Sequence, residues 1–147
     1  GGYQESKFFE PGTDVVVAKT PFGNIGLMVC YDLRFPELAL TLRARGANIL
    51  TAPAAFTYTT GQMHWQLLLQ ARAMDSQSIV LGAAQQGWHG EKRQTWGHAA
   101  ATNSRGQVLD LILNPGAQLI TVPFDLAEQV QIRESMPLMQ HRKLVQF

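Results

Sequence analysis

The stretch Ile25-Gly-Leu-Met-Val-Cys-Tyr-Asp-Leu-Arg-Phe-Pro-Glu-Leu38 constrains this chain more than any other. Ile25 to Val29 is a short apolar run of the kind that forms a buried strand. It ends on Cys30, the only cysteine in the 147 residues. Polar Tyr31 and Asp32 follow. Pro36 and Glu37 then open a segment with helical spacing, as a proline and an acid do in a first helical turn. The pattern predicts a thiol at a strand-to-helix corner, lifted out of the sheet and aimed at the positive end of a helix, which favours thiolate over thiol. The serine of a nucleophile elbow uses the same logic, although the G-x-S-x-G spacing is absent. The residues alone leave a second reading open, an inert buried cysteine acting as a small hydrophobe, because free cysteine is among the most buried residue types.

The rest of the chain supplies elements around that corner. Pro11-Gly12 marks a turn, Val15 to Ala18 a strand, and Phe22-Gly-Asn24 a hairpin-like turn into the Cys30 strand. Glu37 to Arg45 reads as a helix stopped at Gly46, with Arg43 and Arg45 at its negative end. Asn48 to Ala52 is the next strand, so strand–helix–strand predicts parallel neighbours joined by a crossover. Pro53 to Gly61 is expected to be an irregular loop carrying Phe56, Thr57 and Tyr58. Gln62 to Gln77 is the longest predicted helix. It carries one apolar stripe of Met63, Leu67, Ala71 and Met74 and a second of Trp65, Leu68 and Leu69. A surface helix needs one stripe, so this helix should be covered on both sides. Ser78 to Ala84 is predicted as strand and Gly87 to Gln94 as a mobile loop. Gly97 to Thr102 and Gln107 to Leu113 flank Asn103-Ser-Arg-Gly106, a strong hairpin signal. Leu119 to Val122 is expected to form one more strand, and Asp125 to cap a short helix. No repeat or linker divides the chain, which reads as a single α/β unit over residues 1–147.

At 46% hydrophobic, the chain can bury one ordinary core. A net charge of +1 and scattered basic residues suggest neither a nucleic-acid nor a membrane-surface partner. No apolar stretch approaches the ~20 residues of a membrane span, and no signal peptide precedes the first strand. One cysteine excludes an internal disulfide and suits a reducing compartment, so the reading is a soluble cytoplasmic protein. Cys30 has no spaced cysteine or histidine neighbours of the kind that hold zinc.

Val29-Cys-Tyr-Asp-Leu-Arg-Phe-Pro-Glu-Leu38 resembles the cysteine motif of the nitrilase superfamily of carbon–nitrogen hydrolases. The resemblance is to the branch of amidases similar to deaminated glutathione amidase and omega-amidase. Tyr3-Gln-Glu-Ser6, Thr20-Pro-Phe-Gly23, Pro53-Ala-Ala-Phe-Thr57, His64-Trp65, Arg72-Ala73 and Gly97-His98 follow in the family's order and spacing. The resemblance implies an α-β-β-α sandwich, two sheets face to face with helices outside, of which residues 1–147 would supply a C-terminal portion with the N-terminal part missing. It implies hydrolysis of a linear amide of a small carboxylic acid, of the deaminated glutathione or omega-amide type, through a cysteine thioester. It calls for no metal or organic cofactor, and for a homodimer of the full-length form.

Within that resemblance Cys30 matches the nucleophile and Glu5 the assisting glutamate. The backbone N–H of Tyr31, just past the nucleophile, is placed to serve an oxyanion. Phe56, Thr57 and Tyr58 match a loop with substrate contacts, or else form a loop packed by its own aromatics. The glutamate base and the oxyanion lysine have no counterpart: Lys7 and Lys19 are the only lysines before Cys30, and neither matches. An alternative follows, a truncated and inactive remnant acting at most as an association module. A third reading pairs Cys30 with His98 or His64 as a thiol hydrolase. Asp32, Arg34 and Glu37 are expected to form an ion-pair network holding the corner. Arg72 is expected to pair with a buried acid, His64, Trp65 and His98 to be packing residues, and His89 and His141 to lie at the surface.

Overall fold

In the computed structural model, which describes residues 4–144, six strands form one mixed sheet. Their order is β1 (Val17–Thr20), β2 (Gly23–Leu27), β3 (Ile49–Thr51), β4 (Ile79–Gly82), β7 (Ala100–Thr102) and β8 (Val108–Leu111). β2, β3 and β4 run parallel, joined through α1 (Pro36–Ala44) and α2 (Tyr58–Ser76). β1 and the β7–β8 hairpin extend the sheet antiparallel on either side. β5 (Gln86–His89) and β6 (Arg93–Trp96) form a separate two-stranded hairpin.

Two glycines let α1 and α2 sit close on one face of this sheet. A side chain on Gly26 would meet Leu42 and Ala47 at 3.1 Å, and one on Gly82 would meet Trp65 at 2.7 Å. Leu42, Leu50, Trp65, Leu69 and Val80 fill the layer between helices and sheet and are fully buried. Arg72, buried beneath α2, donates from Nε to Leu33 O at 2.8 Å and from a terminal nitrogen to Asp75 at 2.6 Å. Asp75 is half-exposed, so the expected pairing holds but the acid is not a buried one.

The opposite face is only partly covered. The C-terminal segment carries α3 (Leu126–Ser135), capped by Asp125, whose carboxylate accepts from Ala127 N at 2.8 Å, and then α4 (Leu138–His141). Gln129 of α3 donates to Asn48 O and to Ser104 Oγ, and Arg133 donates to Gln77 O and Ala47 O. Arg43 donates to Ser76 O and to the Gln77 side chain, so two guanidinium groups gather the negative end of α2. Burial, with Arg43 beside it, pushes Arg133 down to about 10. Ile49 and Ile79 are buried, whereas Leu27 and Leu81, one register step along, are 47% and 36% exposed. The uncovered part of the face therefore lies toward the C-terminal ends of the parallel strands.

Several predicted boundaries move for identifiable reasons. α2 begins at Tyr58 rather than Gln62, because Gly61 is a helical residue whose missing side chain admits Trp96. The predicted loop at Gly87–Gln94 is mostly hairpin, its strands too polar to show apolar alternation. Leu119 to Val122 forms no strand, and Leu119 is fully open to solvent. Only one of the two stripes on α2 is buried: Trp65 and Leu69 face the sheet, while Met63, Leu67 and Met74 lie exposed. The Asn103–Gly106 turn is as expected, with Asn103 Oδ1 accepting from the backbone N–H of Arg105 and Gln107.

Candidate active site

β2 ends at Leu27, and the chain does not pass directly into α1. Cys30–Arg34 forms a 3-10 helix between them, and Cys30 is its first residue. The corner is fixed by hydrogen bonds on both sides of the thiol. Asp32 Oδ2 accepts from Val29 N at 2.9 Å while Asp32 N donates to Val29 O at 3.0 Å. Cys30 N donates to Pro53 O at 2.9 Å, tying the corner to the end of β3. The result holds Cys30 at φ +47°, in the left-handed region that a side chain with a Cβ rarely adopts. Such strain persists only where the surroundings over-determine it, and it gathers at functional sites. The Tyr31 N–H, next in the chain, has no acceptor among the described residues.

The expected ion-pair network is not formed. Asp32 spends its carboxylate on Val29, and Glu37 is exposed at the first turn of α1. Arg34 instead donates to His64 Nδ1 at 3.3 Å and lies over two rings, 5.4 Å from the centre of Tyr31 and 5.2 Å from that of Phe56. A half-buried guanidinium four residues from the thiol therefore has no carboxylate partner among the described residues. Sequence reasoning missed this, because an Asp and a Glu flank Arg34 in the chain but point elsewhere.

Residues 1–134 match the family described as Carbon-nitrogen hydrolase. The chain belongs to that family. It is 46% identical over 146 residues to the deaminated glutathione amidase of Yersinia enterocolitica, covering 99% of this chain and 50% of that protein. This chain thus spans about half the length of that curated relative. The crystal structure of the C. elegans NitFhit protein is 40% identical, with a TM-score of 0.87 over 96% of this chain and 34% of that one. An amidase variant from Nesterenkonia sp. AN1, carrying the acetamide moiety of fluoroacetamide covalently added at its active-site cysteine, is 28% identical, with a TM-score of 0.68 over 76% of this chain and 42% of that one. The fold is accordingly a partial nitrilase-type α/β unit, with one helix-covered sheet of the sandwich present.

The residues expected at a carbon–nitrogen hydrolase site fall in different places. Cys30 and Tyr31 share the corner. Glu5 lies in a short 3-10 helix, Glu5–Lys7, exposed, and no hydrogen bond or ion pair ties it to Cys30. Tyr3 of the same motif lies outside the described residues. Phe56 is buried against Trp65, with ring centres 5.1 Å apart. Thr57 precedes α2 and bridges to Thr95, and Tyr58 packs edge-on against Trp96 at 5.1 Å. His98 donates from Nδ1 to Trp96 O at 2.8 Å and stacks on the Trp96 ring, and its own carbonyl accepts from Trp65 Nε1. That is a satisfied packing histidine, as expected. His64 is occupied by Arg34, and neither histidine hydrogen-bonds to Cys30. Among the described residues no three or more His, Cys, Asp or Glu side chains are grouped to hold a metal ion. No helix of the described residues is long and apolar enough to cross a membrane.

Proposed function

We propose that this chain is the nucleophile-bearing part of a hydrolase that cleaves a linear amide of a small carboxylic acid, of the deaminated glutathione or omega-amide type. The observation that carries the reading is Cys30 held at φ +47° on a hydrogen-bonded corner, beside an N–H without an acceptor. The Cys30 sulfur attacks the amide carbon, and the carbonyl electron pair moves to oxygen, where the Tyr31 N–H donates to it. The oxyanion's electron pair then returns, the C–N bond breaks and the nitrogen leaves with the proton given up by the thiol; water next adds its hydroxyl to the acyl carbon and returns a proton to sulfur, which releases the acid and regenerates the thiol. Arg34, without a carboxylate of its own, supplies the cation that an acid substrate's carboxylate requires. The covalently modified cysteine of the Nesterenkonia relative and the activity named for the Yersinia relative support this chemistry.

Proton transfer and the second oxyanion donor belong, on the family resemblance, to a glutamate and a lysine that residues 1–147 do not match. Lys7 and Lys19 are both exposed, which supports the second reading, that the chain alone is inactive. Losing one oxyanion donor lowers turnover ~10²–10³-fold and losing acid–base help ~10²–10⁴-fold. The test joins the chain to the upstream half of the Yersinia relative and measures amine release from deaminated glutathione and short omega-amides. Release is expected from the joined protein, none from the chain alone, and none from the joined Cys30→Ala variant. Release that survives Cys30→Ala overturns the nucleophile. Cys30-dependent release by the chain alone overturns the assignment of the missing roles.

On the same reading the protein acts in the cytoplasm, on a small-molecule amide, as a homodimer, with no nucleic acid or membrane partner. The exposed row of Met63, Leu67 and Met74 on α2 supports the dimer. Leu67→Lys should shift the joined protein from dimer to monomer in sedimentation, and an unchanged mass would exclude this stripe as the contact.

A further inference from the structure

A cavity of about 390 Å³ opens between the end of α1, α3 and α4. It lies at the other end of the sheet from Cys30. Arg133, in its wall, reaches Ala47 and Ser78 just before β3 and β4, whereas the thiol corner is tied to Pro53 just after β3. The strand and its flanks separate the two by roughly 20 Å. The volume falls within the ~300–1,000 Å³ of small-ligand sites. Arg43 of α1 and Arg133 of α3 give the cavity its cationic wall, and Val130, Pro137 and Met139 give it an apolar one. Glu134, exposed, also borders it.

Both arginines are fixed through Gln77, a buried residue at φ +48° where α2 ends. Its side chain accepts from Arg43 and donates to Met136 O at 2.8 Å, and its backbone carbonyl accepts from Arg133 Nε at 3.0 Å. Arg43 Nη1 also donates to Ser76 O at 3.2 Å, and Arg133 Nη2 donates to Ala47 O and Ser78 Oγ. These bonds leave Nε and Nη2 of Arg43 and Nη1 of Arg133 without an acceptor among the described residues. Neither arginine forms an ion pair there, with Glu134 or with any other acid.

The charge around these groups is therefore not balanced. The end of α2 offers about half a negative charge against two full positive ones. Burial, with Arg43 beside it, already pushes Arg133 down to about 10, which is the mark of a cation short of counter-charge. An anion in the cavity would cancel the excess, and half-buried guanidiniums hold an anion more strongly than they would in bulk water. The free donors belong to two different helices and so converge from two directions. That suits a tetrahedral oxyanion, with oxygens on several sides, better than a flat carboxylate, which one guanidinium fork can satisfy alone.

We propose that this cavity binds a phosphate monoester, its phosphoryl oxygens accepting from the free N–H groups of Arg43 and Arg133 and its organic group lying on Val130, Pro137 and Met139. The site is separate from the Cys30 corner and does not depend on the reading of that residue as a nucleophile.

The probe is phenyl phosphate, added at constant ionic strength to the isotope-labelled 147-residue chain and followed by heteronuclear NMR. It should shift the backbone signals of residues 43–47, 76–78 and 130–140 saturably, and phenol, which lacks the anion, should leave them in place. Benzoate should bind at least threefold more weakly. Arg43→Gln should weaken phenyl phosphate at least tenfold. Glu134→Gln removes a like charge from an exposed side chain that makes no hydrogen bond among the described residues, so it keeps the fold and should tighten binding at least twofold. That variant decides the matter even where Arg43→Gln does not fold. Shifts that never saturate, that fall instead on residues 31–34, or that benzoate reproduces at equal affinity overturn the site, as does an affinity unchanged by either substitution.

Discussion

Gly61→Ala sets a local rule against a tertiary one. Gly61 lies inside α2, where replacing glycine by alanine ordinarily stabilises a helix by about 1 kcal/mol. A Cβ there, however, would lie 2.2 Å from Trp96 Cβ, 2.6 Å from Cγ and 2.9 Å from Cδ1. Comfortable carbon contacts begin near 3.5 Å. The nearest atom is the root of the Trp96 side chain, which moves only with the β6 backbone. That backbone is tied down, since Trp96 N donates to Phe56 O at 3.0 Å. The ring is held as well, stacked 3.9 Å from His98 and edge-on to Tyr58. Overpacking costs ~1–3 kcal/mol, and a clash this short against a fixed root belongs at the upper end. Net of the helix gain, Gly61→Ala should destabilise by about 2 kcal/mol. Urea unfolding followed by far-UV circular dichroism measures it. Adding Trp96→Ala should return most of the loss, because the two sites meet. A Gly61→Ala midpoint at or above that of the parent chain would refute the packing argument.

Two further outcomes follow from the corner and from the open face. Cys30→Gly should be more stable than Cys30→Ala by about 1 kcal/mol, since only glycine adopts φ +47° without steric penalty; equal stabilities in urea would mean the corner carries no strain. The chain should bind a hydrophobic dye strongly through the uncovered sheet face, where Leu27 and Leu81 are exposed. Leu27→Asp with Leu81→Asp should lower the fluorescence, and a dye signal indifferent to both changes would place the dye elsewhere, as on the bare row of α2.

The site was legible where its causes are local. An apolar run, a single cysteine, a proline and an acid lie within one stretch, and they do form strand, thiol and helix in that order. What the stretch does not disclose is the 3-10 turn between them, because one of its anchors is Pro53 O, on another strand. Gly61 shows the same limit. A glycine beside three polar residues reads as loop, and only the approach of Trp96, 35 residues later in the chain, explains it as helix. The β5–β6 hairpin left no apolar alternation because its side chains border a cleft and solvent rather than a core. Leu119 to Val122 failed in the other direction. Apolar residues make a strand only where they reach an edge to pair with, and the loop before them is held to β5 by Gln86 and closed on itself by Gln118.

The two apolar stripes of α2 join these threads. The sequence shows that both exist, since composition and spacing are enough for that. It does not show which is internal, because that depends on where the sheet lies. The sheet takes Trp65 and Leu69, leaving Met63, Leu67 and Met74 bare, and the far face of the same sheet leaves Leu27 and Leu81 bare. The bare rows lie on opposite sides of the layer pair, so no one flat partner surface covers both. Covering each takes a separate contact. The row on α2 lies on a helix exterior, where the proposed second copy of the protein would sit. The row on the sheet begins three residues before Cys30, so a cover over that face would border the corner that carries the thiol, and would lower the dielectric there if it reached across it. Arg34 and the Tyr31 N–H would then act in a lower dielectric, where charge and hydrogen bonds are worth more. On this reasoning a Leu27→Asp change in the joined protein impairs turnover along with docking, even though Leu27 contacts no substrate.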